Sequence, residues 1–402
     1  MNAETRDQLR RLSVLIAIAL VDMIGFAIIF PILPFYVLDL KATPFTVGVI
    51  TAAFSAAQIL SAPVWGRVSD RYGRRPALLI GLLASSVAYV VFGLADAVWL
   101  LLLSRVIQGA GGGTTGVAQA YITDSVEPAN RARALGWLSA ATSAGVMIGP
   151  VLGSVAAHWG RAAPGFLAAA LCVVNALFAW RWLPESRPVH DGPPKVRRPI
   201  WHAAWHVLRH PSEPAPRMIW IYGVGMLAFS ALTSVLALFL GARFGVTATS
   251  IGPYFLYVGG LSVVLRSLLL GPIVDRIGET WAMRLGALAL VAGLLLYPLA
   301  SSIPILLCIM PLVPIGTALL FPATTSLIAS HTDPSEIGTV MGVAQTWAGM
   351  ARVIAPLFAT AAFERAAWMP FVLGAAIVAV VTVLAFRVPV VPPRHKRAPV
   401  AA

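Results

Sequence analysis

Long apolar runs alternate with short polar connections along most of the chain. Each run holds about 20 residues, which is enough for a helix to cross the hydrocarbon core of a bilayer. We number the runs spans one to twelve, and they cover residues 12–37, 44–65, 77–95, 98–122, 133–157, 164–183, 217–240, 249–271, 281–300, 303–329, 337–361 and 368–386. The pattern predicts an all-α membrane protein with twelve transmembrane helices.

A charged, proline-rich segment separates the spans into two sets of six. Because this segment is too polar to cross a membrane, it predicts a cytoplasmic linker. The predicted organisation is a six-helix bundle at 1–183, the linker at 184–216, a second six-helix bundle at 217–387 and a cytoplasmic tail at 388–402.

Part of the linker has the pattern of an amphipathic helix in the membrane interface. The apolar residues at helical spacing are Ile200, Trp201, Ala204, Trp205 and Leu208. On the same segment, His202, His206 and His210 follow one another at four-residue steps. Histidines four apart can share a metal ion. No carboxylate or cysteine cluster is expected near them, so we predict a polar face and no metal site.

Composition and charge agree with a membrane protein. The chain is 58% hydrophobic and 11% charged, with a mean hydropathy of +0.83, whereas soluble domains are about 25% charged. A net charge of +13 could suggest a nucleic-acid partner. Yet 22 of the 29 Lys and Arg residues fall in the connections that an inside N-terminus makes cytoplasmic or at the span ends next to them. The basic residues therefore predict topology, with both termini in the cytoplasm, and no nucleic-acid partner.

The connection between spans two and three carries a compact motif, G-x-x-x-D-R-x-G-R-R. Its glycine and charged residues are Gly66, Asp70, Arg71, Gly73, Arg74 and Arg75. The connection between spans eight and nine repeats the first part with Asp275 and Arg276, but Glu279 replaces the first terminal arginine. The repeat predicts two related bundles with a substrate site near the bilayer midplane between them.

Asp22 is the one acid among 16 that lies well inside an apolar span. A carboxylate at membrane depth costs several kcal/mol, so such a residue is usually functional or paired. Asp22 could alternate between neutral and charged forms, as proton coupling requires. The alternative is a permanent salt bridge between Asp22 and Arg105.

Span four carries polar residues at three- and four-residue steps, which places them on one face of a continuous helix. They are Arg105, Gln108, Gly112, Thr115 and Gln119. So polar a stripe should line a cavity or face another helix. In span five, Gly145, Gly149 and Gly153 lie on one face suited to close helix packing. Pro150 removes a helical hydrogen bond and should kink that span.

These motifs together resemble the major facilitator superfamily. The charged loop resembles its signature loop, which latches the two halves and gates their switching. Arg105 to Gly109, R-x-x-Q-G, resembles the span-four motif whose arginine is implicated in proton transfer. The span-five string G-x-x-x-G-P-x-x-G resembles the motif of the superfamily's antiporters.

The whole first half is similar to the tetracycline efflux proteins. Those carriers hold further acids in spans three and nine. Here span three reads Ser85, Ser86, Val87, Ala88, Tyr89 at the corresponding region, and span nine has no acid. The difference argues against recognition of a metal–tetracycline complex through several carboxylates.

We therefore expect a secondary transporter that exports small amphipathic drugs, tetracycline-like ones among them, in exchange for protons. Asp22 would carry the proton and Arg105 would tune it. The substrate-binding residues expected from helical phase are Phe26, Gln108, Gln119, Tyr121, Trp347 and Arg352. No nucleotide-binding motif is present, so we expect a proton gradient and no cofactor. A single chain in the bacterial inner membrane is expected.

Three alternatives remain. The first is a proton-coupled importer of an organic anion or sugar. Arg352 would favour it by binding an anionic substrate, although Arg352 could instead pair with backbone carbonyls. Arg266 lies nearer the cytoplasmic end and can reach the interface. A non-transporting receptor on the same fold would bind without flux. An enzyme is the weakest alternative, since no Ser/His/Asp or metal-ligand constellation supports it.

Overall fold

The computed structural model describes residues 3–186, 200–210, 213–333 and 336–390. Over this part of the chain the secondary structure is helical and no strand occurs. The all-α membrane fold predicted from hydrophobicity is confirmed. Residues 187–199 and 211–212 of the predicted linker and residues 391–402 of the predicted tail lie outside the described ranges.

The chain separates into two compact units. Unit 1 contains Met1–Pro194 and Gly245–Gly259, and unit 2 contains Lys195–Phe244 and Gly260–Ala402. The short second piece of unit 1 is held there by contacts such as the hydrogen bond from the Gly252 amide to the Ser154 hydroxyl, at 2.7 Å.

The helices before the linker are α1 (Ala3–Ile29), α2 (Leu33–Asp39), α3 (Pro44–Tyr72), α4 (Arg74–Gly93), α5 (Val98–Gly111), α6 (Thr114–Ser125), α7 (Pro128–Ala157) and α8 (Ala163–Trp182). In unit 1, α1 packs on α7 and α8, α3 on α5, and α4 on α5 and α8.

The helices after it are α9 (Ile200–Arg209), α10 (Pro214–Phe244), α11 (Gly252–Val264), α12 (Leu270–Ile277), α13 (Glu279–Leu296), α14 (Ile303–Ile309), α15 (Leu312–Ser330), α16 (Ile337–Arg365) and α17 (Met369–Phe386). Between α11 and α12, residues Leu265–Leu269 form one π-helical turn. In unit 2, α10 packs on α15, α16 and α17, and α13 packs on α15 and α17. The amphipathic helix α9 lies against α10 and α16.

Eleven helices in the described ranges are long and apolar enough to cross a membrane. The twelfth predicted segment, span four, is present but broken into α5 and α6 at Gly112 and Gly113. The expectation of one continuous helix there is wrong. Glycine disfavours helix interiors by about 1 kcal/mol relative to alanine, and three glycines stand in a row at the break.

Side chains of α3 donate hydrogen bonds to three carbonyl groups at the break. The Trp65 indole donates to the Ala110 carbonyl at 2.6 Å. Ser61 donates to the Gly109 carbonyl at 3.1 Å, and Gln58 donates to the Gly112 carbonyl at 3.4 Å. Buried carbonyl groups need hydrogen-bond donors. The side chains of α3 therefore stabilise the break between α5 and α6.

The three spaced glycines of span five pack α7 directly on α1. A Cβ atom on Gly145 would lie 2.7 Å from the Leu20 carbonyl oxygen. On Gly149 it would lie 2.5 Å from the Ala27 Cβ, and on Gly153 it would lie 2.5 Å from the Ile28 carbonyl oxygen. The predicted close-packing face is therefore in contact with the helix that carries Asp22. Pro150 lies within α7, in the same turn as Gly149.

Candidate functional site

Asp22 lies in α1 and is buried, with 8% of its surface exposed. Its carboxylate Oδ2 accepts a hydrogen bond from the Thr114 hydroxyl at 2.9 Å. Thr114 is the first residue of α6, so the carboxylate meets the N-terminus of a half-helix, where the helix dipole favours negative charge. Gly81 of α4 allows the Thr114 methyl group to approach, since a Cβ there would lie 2.6 Å from it.

A small cavity adjoins this carboxylate. It holds about 20 Å³, which is room for one water molecule. Its lining combines Asp22, Thr114, Thr115 and Thr142 with apolar side chains of α1, α4, α6 and α7. The surface of this cavity is almost entirely apolar, and the cavity is too small for a drug-sized molecule.

Arg105 of α5 is also buried, with 3% exposure. Its guanidinium donates to Gln108 Oε1 at 2.5 Å, and Gln108 Nε2 contacts the Tyr89 hydroxyl at 2.5 Å. The guanidinium carbon lies 5.3 Å from the centre of the Phe92 ring. Two of its nitrogens, Nε and Nη2, have no hydrogen-bond partner in the described part of the chain. A buried cation with unsatisfied donors is costly, which marks a position with a function.

A permanent salt bridge between Asp22 and Arg105 was an alternative left open by the sequence analysis. Among the described residues, no such ion pair forms between these two groups. The Tyr89 ring lies against Gly25, one turn along α1 from Asp22, and its hydroxyl is bonded to Gln108 beside Arg105. A Cβ atom on Gly25 would lie 3.4 Å from both Tyr89 Cε2 and Cys172 Sγ. Asp22 and Arg105 are therefore members of one buried polar region that does not close into an ion pair.

The predicted stripe along span four divides at the helix break. Arg105 and Gln108 are buried on α5, but Thr115 and Gln119 are exposed on α6. The break resets the helical phase, so that Thr114 takes the buried position that a continuous helix would have given to Thr115. Gln119 does not line the cavity beside Asp22.

The other expected substrate-binding residues lie in different surroundings. Phe26 is half-buried and its ring stacks near Phe30 and Phe54, with centroids 5.9 and 5.5 Å away. Tyr121 is buried in the apolar core of unit 1, where its hydroxyl donates to the Pro184 carbonyl at 2.9 Å. Tyr121 therefore lies in the apolar core and does not line the cavity beside Asp22.

Trp347 and Arg352 both lie on α16 in unit 2. Trp347 is half-buried and its ring centroid lies 4.6 Å from that of Trp220. Arg352 is exposed and its Nε donates to the Ala348 carbonyl, one turn earlier, at 3.3 Å. Arg352 forms no ion pair with another described residue, so its guanidinium is available to an acceptor.

The charged loop between α3 and α4 centres on Arg74, which is 6% exposed. Its guanidinium contacts Asp70 and Asp124, each at 2.8 Å, and donates to Ser69 Oγ at 2.7 Å. Asp124 ends span four, so this network joins α3, α4 and α6 within unit 1. Arg71 is exposed and lies over the Tyr72 ring. Gly66 has no neighbouring atom within 4 Å of a Cβ position.

Gly73 supplies the backbone bend of this loop with φ of +102°, a conformation that favours glycine. Glu185, which follows α8, fills the space beside it. Its carboxylate accepts hydrogen bonds from the amides of Arg74 at 2.8 Å and Arg75 at 3.1 Å. Arg75 also donates to the Trp180 carbonyl. Glu185 therefore caps the start of α4, where a negative charge is stabilising.

The second copy of the loop keeps the geometry and inverts one charge. Gly278 has φ of +82°, and Glu279, in the position of Arg74, is 5% exposed. Glu279 accepts a hydrogen bond from Ser326 of α15 at 2.9 Å. α15 belongs to the fourth span of the second bundle, so this contact corresponds to the one between Arg74 and Asp124 in the first bundle. Asp275 and Arg276 are exposed.

The sequence profile of the Major Facilitator Superfamily matches residues 15–356 and 259–402. The chain belongs to this superfamily. The resemblance inferred from the loop and span motifs is confirmed. As a member of the superfamily, the protein is a multi-pass membrane transporter and not an enzyme.

Relatives of this chain include drug resistance proteins. The chain is 27% identical to the class B tetracycline resistance protein of Escherichia coli over 364 residues, 89% of this chain and 88% of that protein. It is 27% identical to multidrug resistance protein 2 of Bacillus subtilis over 377 residues, 92% of this chain and 93% of that protein. The structure of the human organic anion transporter MFSD10 superposes with a TM-score of 0.70 at 23% identity, covering 96% of this chain and all of that one.

Within this superfamily member, three residues of the site escaped the sequence analysis. Thr114 was hidden by the assumption that span four is continuous. Tyr89 carries a hydroxyl within an apolar span, which could have marked it as a partner for a buried group. Glu185 is far from the loop in sequence, and only the return of α8 to the start of α4 brings it there.

Proposed function

We propose that this transporter exports small amphipathic compounds in exchange for protons, with Asp22 as the proton-carrying group. The observation that carries the proposal is a buried carboxylate with one hydroxyl donor and no ion pair to any described residue. A permanently charged group at membrane depth would be paired, since an unpaired one costs several kcal/mol. A carboxylate held by a single hydroxyl next to a water-sized cavity can take up and release a proton.

Arg105 supports the same proposal as the residue that tunes Asp22. Arg105 lies in the same buried polar region, and two of its guanidinium nitrogens have no hydrogen-bond acceptor among the described residues. A state of the transport cycle in which Asp22 leaves Thr114 could satisfy them. The aromatic group formed by Phe26, Phe30 and Phe54 offers apolar surface to an amphipathic compound.

Relatives in the superfamily suggest which compounds to test. Tetracycline and multidrug resistance proteins are similar over most of the chain. Tetracycline-like compounds and cationic dyes therefore belong in the panel, and antibiotic resistance is the physiological role we expect. We also expect the protein to work as a single chain in the bacterial inner membrane, with both termini in the cytoplasm.

The decisive experiment uses reconstituted vesicles with an imposed pH gradient. We expect compounds to move against the direction of proton flow, and we expect Asp22→Asn to abolish this movement while binding persists. Asp39→Asn is the matched control, because Asp39 ends the same span and is exposed. Gradient-driven flux that survives in Asp22→Asn would remove Asp22 from the mechanism.

A second candidate function is proton-coupled import of a small organic anion. Arg352 favours it, because it is exposed on unit 2 and forms no ion pair with a described residue. MFSD10, which shares the fold, is an organic anion transporter. Uptake of anions in the same direction as protons, lost in Arg352→Gln, would support this candidate over export. Binding without any flux would instead indicate a receptor.

A further inference from the structure

Three metal-binding side chains meet at the end of the amphipathic helix α9. The ligand atoms of His206, His210 and Glu213 all lie within 4.8 Å of one another. His206 Nε2 is 3.6 Å from Glu213 Oε2, and the two imidazole rings stack with centroids 4.4 Å apart. The expectation that no carboxylate stands near these histidines is therefore wrong. His202 lies on the same helix, but its side chain is outside the described part of the structure.

The backbone brings the three residues together. The His210 amide donates to the His206 carbonyl at 3.0 Å, and the Glu213 amide donates to the His210 carbonyl at 3.2 Å. Glu213 immediately precedes α10, and its carbonyl accepts from the Arg217 amide at 2.9 Å. A helix end followed by this turn thus places a carboxylate beside two histidines four residues apart. Sequence spacing alone did not reveal it, because Glu213 does not continue the four-residue pattern.

The cluster is anchored to unit 2. Trp220 of α10 donates its indole N–H to the Val207 carbonyl at 3.1 Å, which holds α9 against α10. The ligand side chains themselves remain accessible, since the exposed fractions of His206 and Glu213 are 52% and 47%. A fixed backbone with accessible side chains is suited to binding an ion from solution.

The arginines nearest in sequence have other contacts. The Arg209 guanidinium carbon lies 4.7 Å from the centre of the Trp205 ring. Arg217 donates to the Arg387 carbonyl at 3.0 Å. Each of these two guanidinium groups therefore has a described contact outside the cluster.

We propose that His206, His210 and Glu213 form a binding site for one zinc-type divalent metal ion. Two imidazoles and a carboxylate are preferred zinc ligands, at metal–ligand distances of about 2.0–2.2 Å. A tetrahedral ion at those distances separates its ligand atoms by about 3.4 Å. His206 Nε2 and Glu213 Oε2 are nearly at that separation, at 3.6 Å. Rotation of the exposed side chains would bring a ring nitrogen of His210 to a similar distance from both. A water molecule would complete the coordination.

Metal binding would join the end of α9 to the start of α10. Val207, next to His206, is already bonded to Trp220, and the Trp220 ring packs on Trp347 of α16. The ion would therefore stabilise the attachment of the amphipathic helix to unit 2. This site is separate from the Asp22 region and does not depend on the proposed proton exchange.

The test is calorimetric titration of Zn²⁺ into the purified full chain, stripped with a chelator and carrying an affinity tag free of histidine. We expect one ion per chain. His206→Ala, His210→Ala and Glu213→Gln should each weaken binding at least about tenfold, since loss of even an outer-shell partner commonly costs that much. His158→Ala and His331→Ala, two exposed histidines outside the cluster, should leave binding unchanged.

Two outcomes would overturn the site. One is an absence of stoichiometric Zn²⁺ binding by the unmodified protein. The other is binding that persists with the same affinity in a His206→Ala/His210→Ala double variant. Thermal unfolding without metal checks that the variants are folded, and Mg²⁺, which prefers all-oxygen octahedral sites, should fail to displace Zn²⁺.

Discussion

At the scale of single residues, the buried carboxylate of Asp22 depends on one hydroxyl donor. Replacing Thr114 with valine keeps the shape of the side chain and removes that donor. An unsatisfied buried polar group costs about 1–3 kcal/mol. We therefore expect Thr114→Val to lower gradient-driven transport about tenfold or more, measured as initial flux in vesicles.

Two variants make that result specific. Thr114→Ser keeps the donor and should retain most of the flux. Thr123→Val changes an exposed threonine on the same helix and should behave like the unmodified protein. Equal flux in Thr114→Val and Thr114→Ser would show that the hydrogen bond to Asp22 has no part in the cycle.

Two glycines of the charged loop should respond very differently to alanine. At Gly73 the backbone is left-handed, and a Cβ would lie 2.4 Å from Glu185 Oε2. Left-handed backbone alone costs a non-glycine residue about 1–2 kcal/mol. Gly73→Ala should therefore lower the unfolding temperature of the detergent-purified protein by several degrees, whereas Gly66→Ala should not. A similar unfolding temperature for both variants would contradict the capping role of Glu185.

Whether a site residue can be predicted from the sequence depends on how far along the chain its contact partner lies. Asp22 was predicted because a lone carboxylate in an apolar span is recognisable without any partner. Thr114 and Glu185 were not, because each acquires its role from a contact made 92 or 111 residues away. Tyr121 was expected at the substrate site because of its position on one side of the helix. A residue on that side can equally pack in the core, which is where Tyr121 lies.

At the scale of helices, the contact between α1 and α7 rests on the three glycines of span five. A methyl group on Gly149 would meet the backbone and Cβ of α1 at 2.5–2.9 Å. Overpacking of this kind costs about 1–3 kcal/mol. Gly149→Ala should lower the unfolding temperature measured in detergent, while Gly136→Ala, on the same helix with nothing within 4 Å, should not.

That comparison separates packing from switching. If Gly149→Ala keeps the unfolding temperature and loses only transport flux, the glycine face serves movement between states more than static packing. If both quantities fall together, close packing against α1 is its main role.

Element boundaries followed from hydrophobicity except where backbone chemistry intervened. Span four has the composition of one helix, and its interruption depends on consecutive glycines together with donors from α3. Span one also divides, into α1 and α2, next to Pro31. Proline cannot donate a backbone hydrogen bond, so this second division could have been predicted, whereas donors from a neighbouring helix could not.

At the scale of the whole molecule, the asymmetry of basic residues predicts which loops face the cytoplasm. In a variant without its native cysteines, Cys172 and Cys308, single cysteines can report this. We expect a membrane-impermeant maleimide to label Arg243→Cys in intact cells and to label Arg276→Cys only after the membrane is opened. Both positions are exposed. Labelling of Arg276→Cys in intact cells would reverse the predicted orientation.

The whole-chain architecture was the most predictable level. Twelve apolar segments, a polar division and a repeated loop motif suffice for two related bundles, because each signal is spread over many residues. The internal repeat also survives in three dimensions: Gly73 and Gly278 share a left-handed backbone, and the residue after each reaches the fourth span of its bundle. The inverted charge at Glu279 could be read from the sequence, but its partner Ser326 could not.

The contacts of Arg74 have a consequence for the order of synthesis. A chain is made from its N-terminus, so the loop at residues 66–76 emerges before Asp124 and Glu185 exist. During that interval neither acid can contact the arginines, and by the charge rule we expect the arginines to favour the cytoplasmic side for this loop. Once span four and α8 are complete, Asp124 and Glu185 bind the loop and its charges become part of the folded bundle. Arg74 is thus buried in the finished bundle, whereas Arg71 stays exposed.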